Sequence, residues 1–266
     1  MSHAAEPGLA AFNTRYPLRR ILILIAAFAA PIVGYGQMAL GLGQSPSEFS
    51  ADGDQTLRVA GYAFSIWAVI YAWLIAYGVY QALPATSESD TARRLGWPSF
   101  AALTGIALWV IASAADWEWL TVVLIVGSLA AVLIPLLQLP NDDPIKRRAL
   151  IVWPLAMLAG WLTIASLVNL LTVLTSQGVL TPDTALPAGL LAVVVAVVAA
   201  LLVTARTRVW TYPVPIAWGL VGVFFAERSE GDDVLAFSAL AAAFLVAVGA
   251  ALILARRAPV RSSAEP

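Results

Sequence analysis

ALIVWPLAMLAGWLTIASLVNLLTVLT, residues 149–175, runs without a single carboxylate, ammonium, guanidinium or imidazole. At about 1.5 Å of rise per residue, a helix of that length spans the roughly 30 Å hydrocarbon core of a bilayer. Lipid offers no partners to backbone N–H and C=O groups, so such a run crosses as an α-helix and not as a loop or an open strand. Seven further stretches repeat the pattern, at 21–43, 59–83, 95–115, 119–139, 184–205, 209–226 and 234–255. Each reaches the roughly 17–25 residues that a crossing takes. The sequence therefore predicts an all-α integral membrane protein with eight transmembrane helices.

Composition agrees. Of 266 residues, 61% are hydrophobic and 12% charged, with mean hydropathy +0.84, against about 45–50% apolar in soluble domains. If the N-terminus is cytoplasmic, 13 of the 15 Lys and Arg residues fall in inside segments, and only Arg58 and Arg228 fall outside. That alternation follows the positive-inside rule and predicts both termini in the cytoplasm, as in a multi-pass protein of a bacterial inner membrane. Arg19-Arg20 ahead of an apolar run with Ala27-Phe28-Ala29 has the outline of a signal peptide. The run continues to Gly43, long for such a segment, so the first helix is expected to stay.

Much chemistry is excluded by what is missing. There is no cysteine, and the one histidine, His3, lies in the polar N-terminal tail. Thiolate, zinc and iron–sulfur sites are therefore ruled out, and no catalytic or metal-ligating residue stands out. Ion-coupled carriers and proton pumps place ionisable groups in their spans. Here the acids, among them Asp116, Glu118, Glu227, Asp232 and Asp233, fall at span edges and read as solvated loop carboxylates. Net charge is −1, with basic residues in short clusters beside helices, which fits anionic lipid and not nucleic acid.

The polar and aromatic residues of the spans carry what remains. Trp97, Trp117, Trp119, Trp153 and Trp210 lie near span ends, as interfacial anchors do, while Trp67, Trp73, Trp109, Trp161 and Trp218 lie deeper. In FSIWAVIY, residues 64–71, Phe64, Trp67 and Tyr71 recur at i, i+3, i+7 on one helical face. In GWLTIASLVN, residues 160–169, Trp161, Ala165 and Asn169 recur at i, i+4, i+8, joining a large ring, a small residue and an amide. Rise per residue puts Phe64, Trp67, Tyr71, Trp109, Trp161 and Asn169 roughly 8–21 Å below the outer boundary. If the second, third and fifth helices are neighbours, these residues form a charge-free aromatic pocket.

These two segments resemble the second- and fifth-helix signatures of the TspO/MBR family, the tryptophan-rich sensory proteins related to the translocator protein. Trp161, Ala165 and Asn169 match the fifth-helix spacing, and the likeness covers residues 16–177. It implies an N-terminal five-helix bundle at 1–177, with 178–266 as an additional three-helix segment and short basic tail. The proline pair expected before the second-helix aromatics is replaced by Val59-Ala60-Gly61-Tyr62, and Ile106 stands where an asparagine is expected before Trp109. Leu170-Leu171-Thr172-Val173 replaces an aromatic tail after Asn169.

The resemblance implies a membrane sensor or regulator binding flat or elongated apolar ligands, tetrapyrrole or sterol-like, with no cofactor required. It also implies a light-dependent porphyrin breakdown in which Trp67 and Trp161 would take part. Phe64, Trp67, Tyr71, Trp109, Trp161, Ala165 and Asn169 are the candidate ligand-binding residues. The alternative is a transporter or permease for an uncharged or lipid-like solute. It draws on Pro213 and Pro215 in TYPVPIAWG, residues 211–219, which either break the seventh helix or form its first turn. The small-residue spacings Gly34–Met38 and Gly219–Gly222 allow a homodimer without identifying its face.

Overall fold

The computed structural model describes residues 17–51, 56–83, 89–140 and 143–256. His3 and both chain tails lie outside the described residues. All regular elements among the described residues are helical. In chain order they are α1 (Pro17–Leu40), the short α2 (Pro46–Ala51), a 3-10 turn (Gly61–Ser65) leading into α3 (Ile66–Ala82), α4 (Asp90–Ala114) and α5 (Glu118–Leu137). A one-turn piece (Ile145–Arg147) and a π-turn (Arg148–Val152) then lead into α6 (Trp153–Ser176), followed by α7 (Pro182–Thr207), α8 (Pro213–Glu230) and α9 (Asp233–Ala255). The second, third, fifth and seventh apolar stretches thus become α3, α4, α6 and α8.

The stretch that decides the class also makes the centre of the bundle. In the span at Ile145–Ser176, 83% of an apolar eighteen-residue window is buried, whereas the corresponding share in the other candidate spans ranges from 28% to 50%. Pro154 has no N–H for the carbonyl four residues back, and the hydrogen-bond ladder slips to the wider π spacing over Arg148–Val152 just before it. The carbonyl of Ala149, in that turn, accepts the indole N–H of Trp73 at 2.9 Å. Trp73, expected among the deep aromatics, instead joins Trp153 and Trp210 in a cluster beside this turn.

Among the described residues, seven helices are long and apolar enough to cross a membrane. The eighth, α8, is not among them, because its eighteen residues include Glu227, Arg228 and Glu230 in the last turns. It nevertheless runs the length of the bundle. Beside its start, Thr211 Oγ1 donates to Trp153 O at 2.9 Å, and near its end Glu227 meets Arg58. Side-chain contacts gather the basic clusters at one end: Arg19 lies against Gly96, Thr91 donates to Asp143, Arg148 donates to Arg208 O, and Arg208 donates to Ile253 O. Arg58 and Arg228 stand at the other end, with Glu118, Ser176 and Gln177.

Three readings of the sequence need correcting. The first helix stops at Leu40, not at residue 43. Gly41 and Gly43 take φ of +62° and +69°, and the Gln37 side chain donates to the carbonyls of Leu42 and Gln44. The seventh stretch begins as a turn: α7 ends in left-handed Arg208, and α8 starts only at Pro213. Pro213 and Pro215 occupy its first turn, where the missing N–H groups cost nothing, and the helix is unbroken. Glu227 is not a solvated loop carboxylate; it is 0% exposed inside α8.

The segment after residue 177 is not set apart in space. A Cβ on Gly160 of α6 would collide with Tyr212 O and come within 2.8 Å of Pro215 Cγ, and one on Gly219 of α8 would come within 3.0 Å of Ile164. The backbone contact at Gly160 requires glycine, and the one at Gly219 leaves a side chain room only if Ile164 shifts. Gly219 faces Ile164, Gly222 faces Ala63 and Gly34 faces Tyr71, all within the bundle.

Candidate functional site

Near the end opposite the basic clusters, α3, α4, α5, α6 and α8 converge on a small void of about 40 Å³. Its wall carries Phe64, Trp67, Trp109, Trp161, Ala165 and Asn169, six of the seven candidates, together with Val59, Ile106, Ile125, Ile164, Val168, Thr172 and Gly219. Among the described residues no ionisable side chain lines it. Tyr71, the seventh candidate, lies outside the wall on the α1 side, stacked on Trp67 with ring centroids 4.9 Å apart and edge-on to Tyr35.

Each ring is fixed by the helix that bears it and by its neighbour. Trp161 projects from α6 between Phe64 and Trp67, edge to face with both, at 6.0 and 6.1 Å. These are preferred quadrupole geometries. Ala165 and Gly219 keep the far wall thin.

Asn169 has a different part from the one its position suggests. Its Oδ1 accepts the indole N–H of Trp109 at 2.7 Å, and its Nδ2 donates to Thr121 Oγ1 at 2.8 Å, while Thr121 donates to Glu118 O at 2.6 Å. The amide therefore ties α4, α6 and α5 together and orients Trp109 rather than offering itself whole to a ligand. One polar atom of the wall is different: Ser50 Oγ is buried and has no hydrogen-bond partner among the described residues.

Ser50 belongs to the part of the site that the apolar stretches do not contain. Helix α2 closes the void on the side away from the basic clusters with Pro46, Phe49 and Ser50, and Phe49 stands edge-on to Trp109 at 6.0 Å. This helix has six residues, and its start explains its existence. The Ser45 amide donates to Glu48 Oε2 at 2.7 Å, the Glu48 amide donates to Ser45 Oγ at 3.2 Å, and Pro46 fills the first helical position. Ser-Pro-Ser-Glu at 45–48 is thus a reciprocal capping box, a signal present in the sequence. The two hydrogen bonds from Ser45 hold the exposed Glu48 carboxyl below its usual range.

Among the described residues there is no group of His, Cys, Asp or Glu that could hold a metal ion. The wall offers aromatic rings, methyl groups and a few polar atoms, among them the Ser50 hydroxyl, which suits a flat apolar molecule with few polar atoms.

The chain belongs to the family described as TSPO-like protein, whose family model matches residues 20–252 and so runs through α8 and most of α9. No curated protein and no solved structure matches it.

Proposed function

We propose that this TSPO-like membrane protein is a sensor or regulator that binds a flat apolar ligand, tetrapyrrole or sterol-like, in the aromatic void between α3, α4 and α6. The observation that carries the reading is the wall itself: three tryptophans and two phenylalanines around one void with no ionisable group among the described residues. Family membership supports a membrane ligand-binding role. A void of about 40 Å³ is far below the roughly 300–1,000 Å³ of ligand pockets, so the ligand is admitted by displacing a wall element. Helix α2 is the element suited to that, being short and held largely by Phe49.

Protoporphyrin added to purified protein should quench tryptophan fluorescence saturably, and Trp67→Ala and Trp161→Ala should each weaken binding. Equal binding by wild type and both variants would sink the reading. The transporter alternative drew its support from a broken seventh helix, and α8 is unbroken.

In the membrane we read α8 as an eighth span, its charges held at the outer end by Arg58 and Asp233, and the basic end as cytoplasmic. A bacterial inner membrane, with both termini on its cytoplasmic side, accommodates that arrangement.

A further inference from the structure

The segment just ahead of α3 lies along α8, and four of its polar groups are answered there. The Arg58 amide donates to Glu227 Oε1 at 2.5 Å, and its guanidinium donates to Glu227 Oε2 at 2.9 Å. Two residues on, the Ala60 amide donates to Gly222 O at 3.1 Å. Trp218 Nε1 then donates to Ala63 O at 2.8 Å. Glycine at 222 permits this approach, since a Cβ there would come within 2.8 Å of Ala63 Cβ. Tyr62 fills the remaining side, edge-on to Trp218 at 5.6 Å and to Phe225 at 5.9 Å.

These contacts succeed one another turn by turn along α8 and fix a stretch that no ordinary helix rule would fix. The 3-10 turn at Gly61–Ser65 leaves its leading amides without helical partners. Just before it, Leu57 is fully buried at φ +54°, a left-handed conformation that a bulky residue keeps only where its surroundings over-determine it. Thr56 Oγ1, hydrogen-bonded to Thr175 Oγ1 at 2.9 Å, holds one side of Leu57, and the Arg58–Glu227 pair holds the other.

The pocket residues come directly after this stretch. Phe64 lies within the 3-10 turn, Trp67 at the start of α3, and both meet Trp161 edge to face. We infer that α8 is the strut that sets the aromatic pocket, and that Glu227 is a positioning residue acting through Arg58 and the 3-10 turn on Phe64 and Trp67. The segment beyond residue 177 is then part of the binding apparatus, contributing Gly219 to the wall and Glu227 to its alignment. This assignment rests on the pocket proposed above for its ligand readout, though not for its structural one.

The test uses the full chain in detergent or nanodiscs, labelled with fluorotryptophan and followed by fluorine NMR, with the Trp67 and Trp161 resonances assigned by Trp→Phe variants. Glu227→Gln keeps the shape and removes the charge; Trp218→Phe keeps the ring and removes the donor to Ala63 O. Each should move or broaden the Trp67 resonance in ligand-free protein and raise the dissociation constant for protoporphyrin about tenfold, as expected when the competent arrangement falls to about a tenth of the population. Glu118→Gln, at the same end but bonded to Ser176 and Gln177, should do neither. A lowered melting temperature with the Trp67 resonance and affinity unchanged in both variants would make α8 a mere stabiliser and overturn the inference. If Glu227→Gln does not fold, Trp218→Phe decides alone. If wild-type protein binds no protoporphyrin, the functional reading falls, while a moved Trp67 resonance still establishes the strut.

Discussion

The hydrogen-bonded chain from Trp109 through Asn169 to Thr121 gives the sharpest quantitative test of the site. Asn169→Ala leaves the Trp109 indole N–H without its acceptor at a position only 8% exposed. An orphaned buried donor costs about 1–3 kcal/mol, whereas polar contacts between membrane helices average about 0.6 and reach about 1.7 kcal/mol, because a loosened group finds another partner. The structure decides between these ranges. Trp109 is held edge-on by Phe49, and its N–H points into a contact among three helices, so it has little freedom to turn elsewhere. The loss should lie at the upper end, about 1.5–2 kcal/mol. Thr121 adds little, since its hydroxyl keeps its own acceptor, Glu118 O.

Trp109→Phe removes the donor and leaves Asn169 bonded to Thr121, for about 1 kcal/mol. In that background Asn169→Ala has no donor left to orphan. A double-mutant cycle should therefore return a coupling of about 1 kcal/mol, measured as helix loss by circular dichroism during unfolding of mixed micelles with dodecyl sulfate. A coupling within the roughly 0.3–0.5 kcal/mol that independent sites show would refute the claim that Asn169 works by bracing Trp109.

Three further outcomes are expected from the geometry. Gly160→Ala drives a Cβ into the Tyr212 carbonyl and should cost about 1–3 kcal/mol in thermal unfolding, while Gly127→Ala, with open space around it, should be near neutral; equal effects would contradict the α6–α8 contact. Because the Glu48 carboxyl is held below its ordinary value of 4.5, the capping box is intact above that pH and is lost as pH falls through the lower folded value. Protoporphyrin binding in stopped flow should accelerate on acidification below about pH 4.5, and Glu48→Gln, which retains a neutral box, should abolish the dependence. Phe49→Ala should speed ligand association and tighten binding; slower association would mean that α2 is part of the binding face and not its cover.

The fold was legible because lipid leaves the chain few choices. Charge-free runs of the right length can only be helices, and those at 95–115 and 119–139 reappear as α4 and α5 with ends shifted by a few residues. The aromatic layer was legible for a related reason: Trp161, Ala165 and Asn169 share one face of α6, the buried helix against which α3 and α4 bring Trp67 and Trp109. Tyr71 shows the limit of that logic. It shares the helix of Trp67, but stacking on that ring places it against Tyr35 of α1, outside the wall. Helix α2 was missed because six residues are too few for periodicity, although its capping box could have been read. The Arg58–Glu227 pair was missed because its members stand 169 residues apart.

That pair and the α2 cover also change what a charge-free interior means. The apolar stretches end before Glu227, so the sequence reads its acid as belonging to a loop, yet the bundle buries it. Burial is tolerable because the carboxylate accepts from both an amide and a guanidinium, and removing either partner would leave a charge stranded. On the proposed reading, the cover would act on a ligand in the opposite sense. Burying Phe49 contributes about 1.5–3 kcal/mol, and its edge-on contact with Trp109 about 0.5–1.5 kcal/mol. Together these favour the closed form by about 2–4.5 kcal/mol, and the apparent affinity for any ligand larger than the void is reduced by the corresponding population of the open form. An intrinsically tight aromatic site would thus respond only when ligand becomes abundant, the behaviour expected of a sensor rather than of a storage protein.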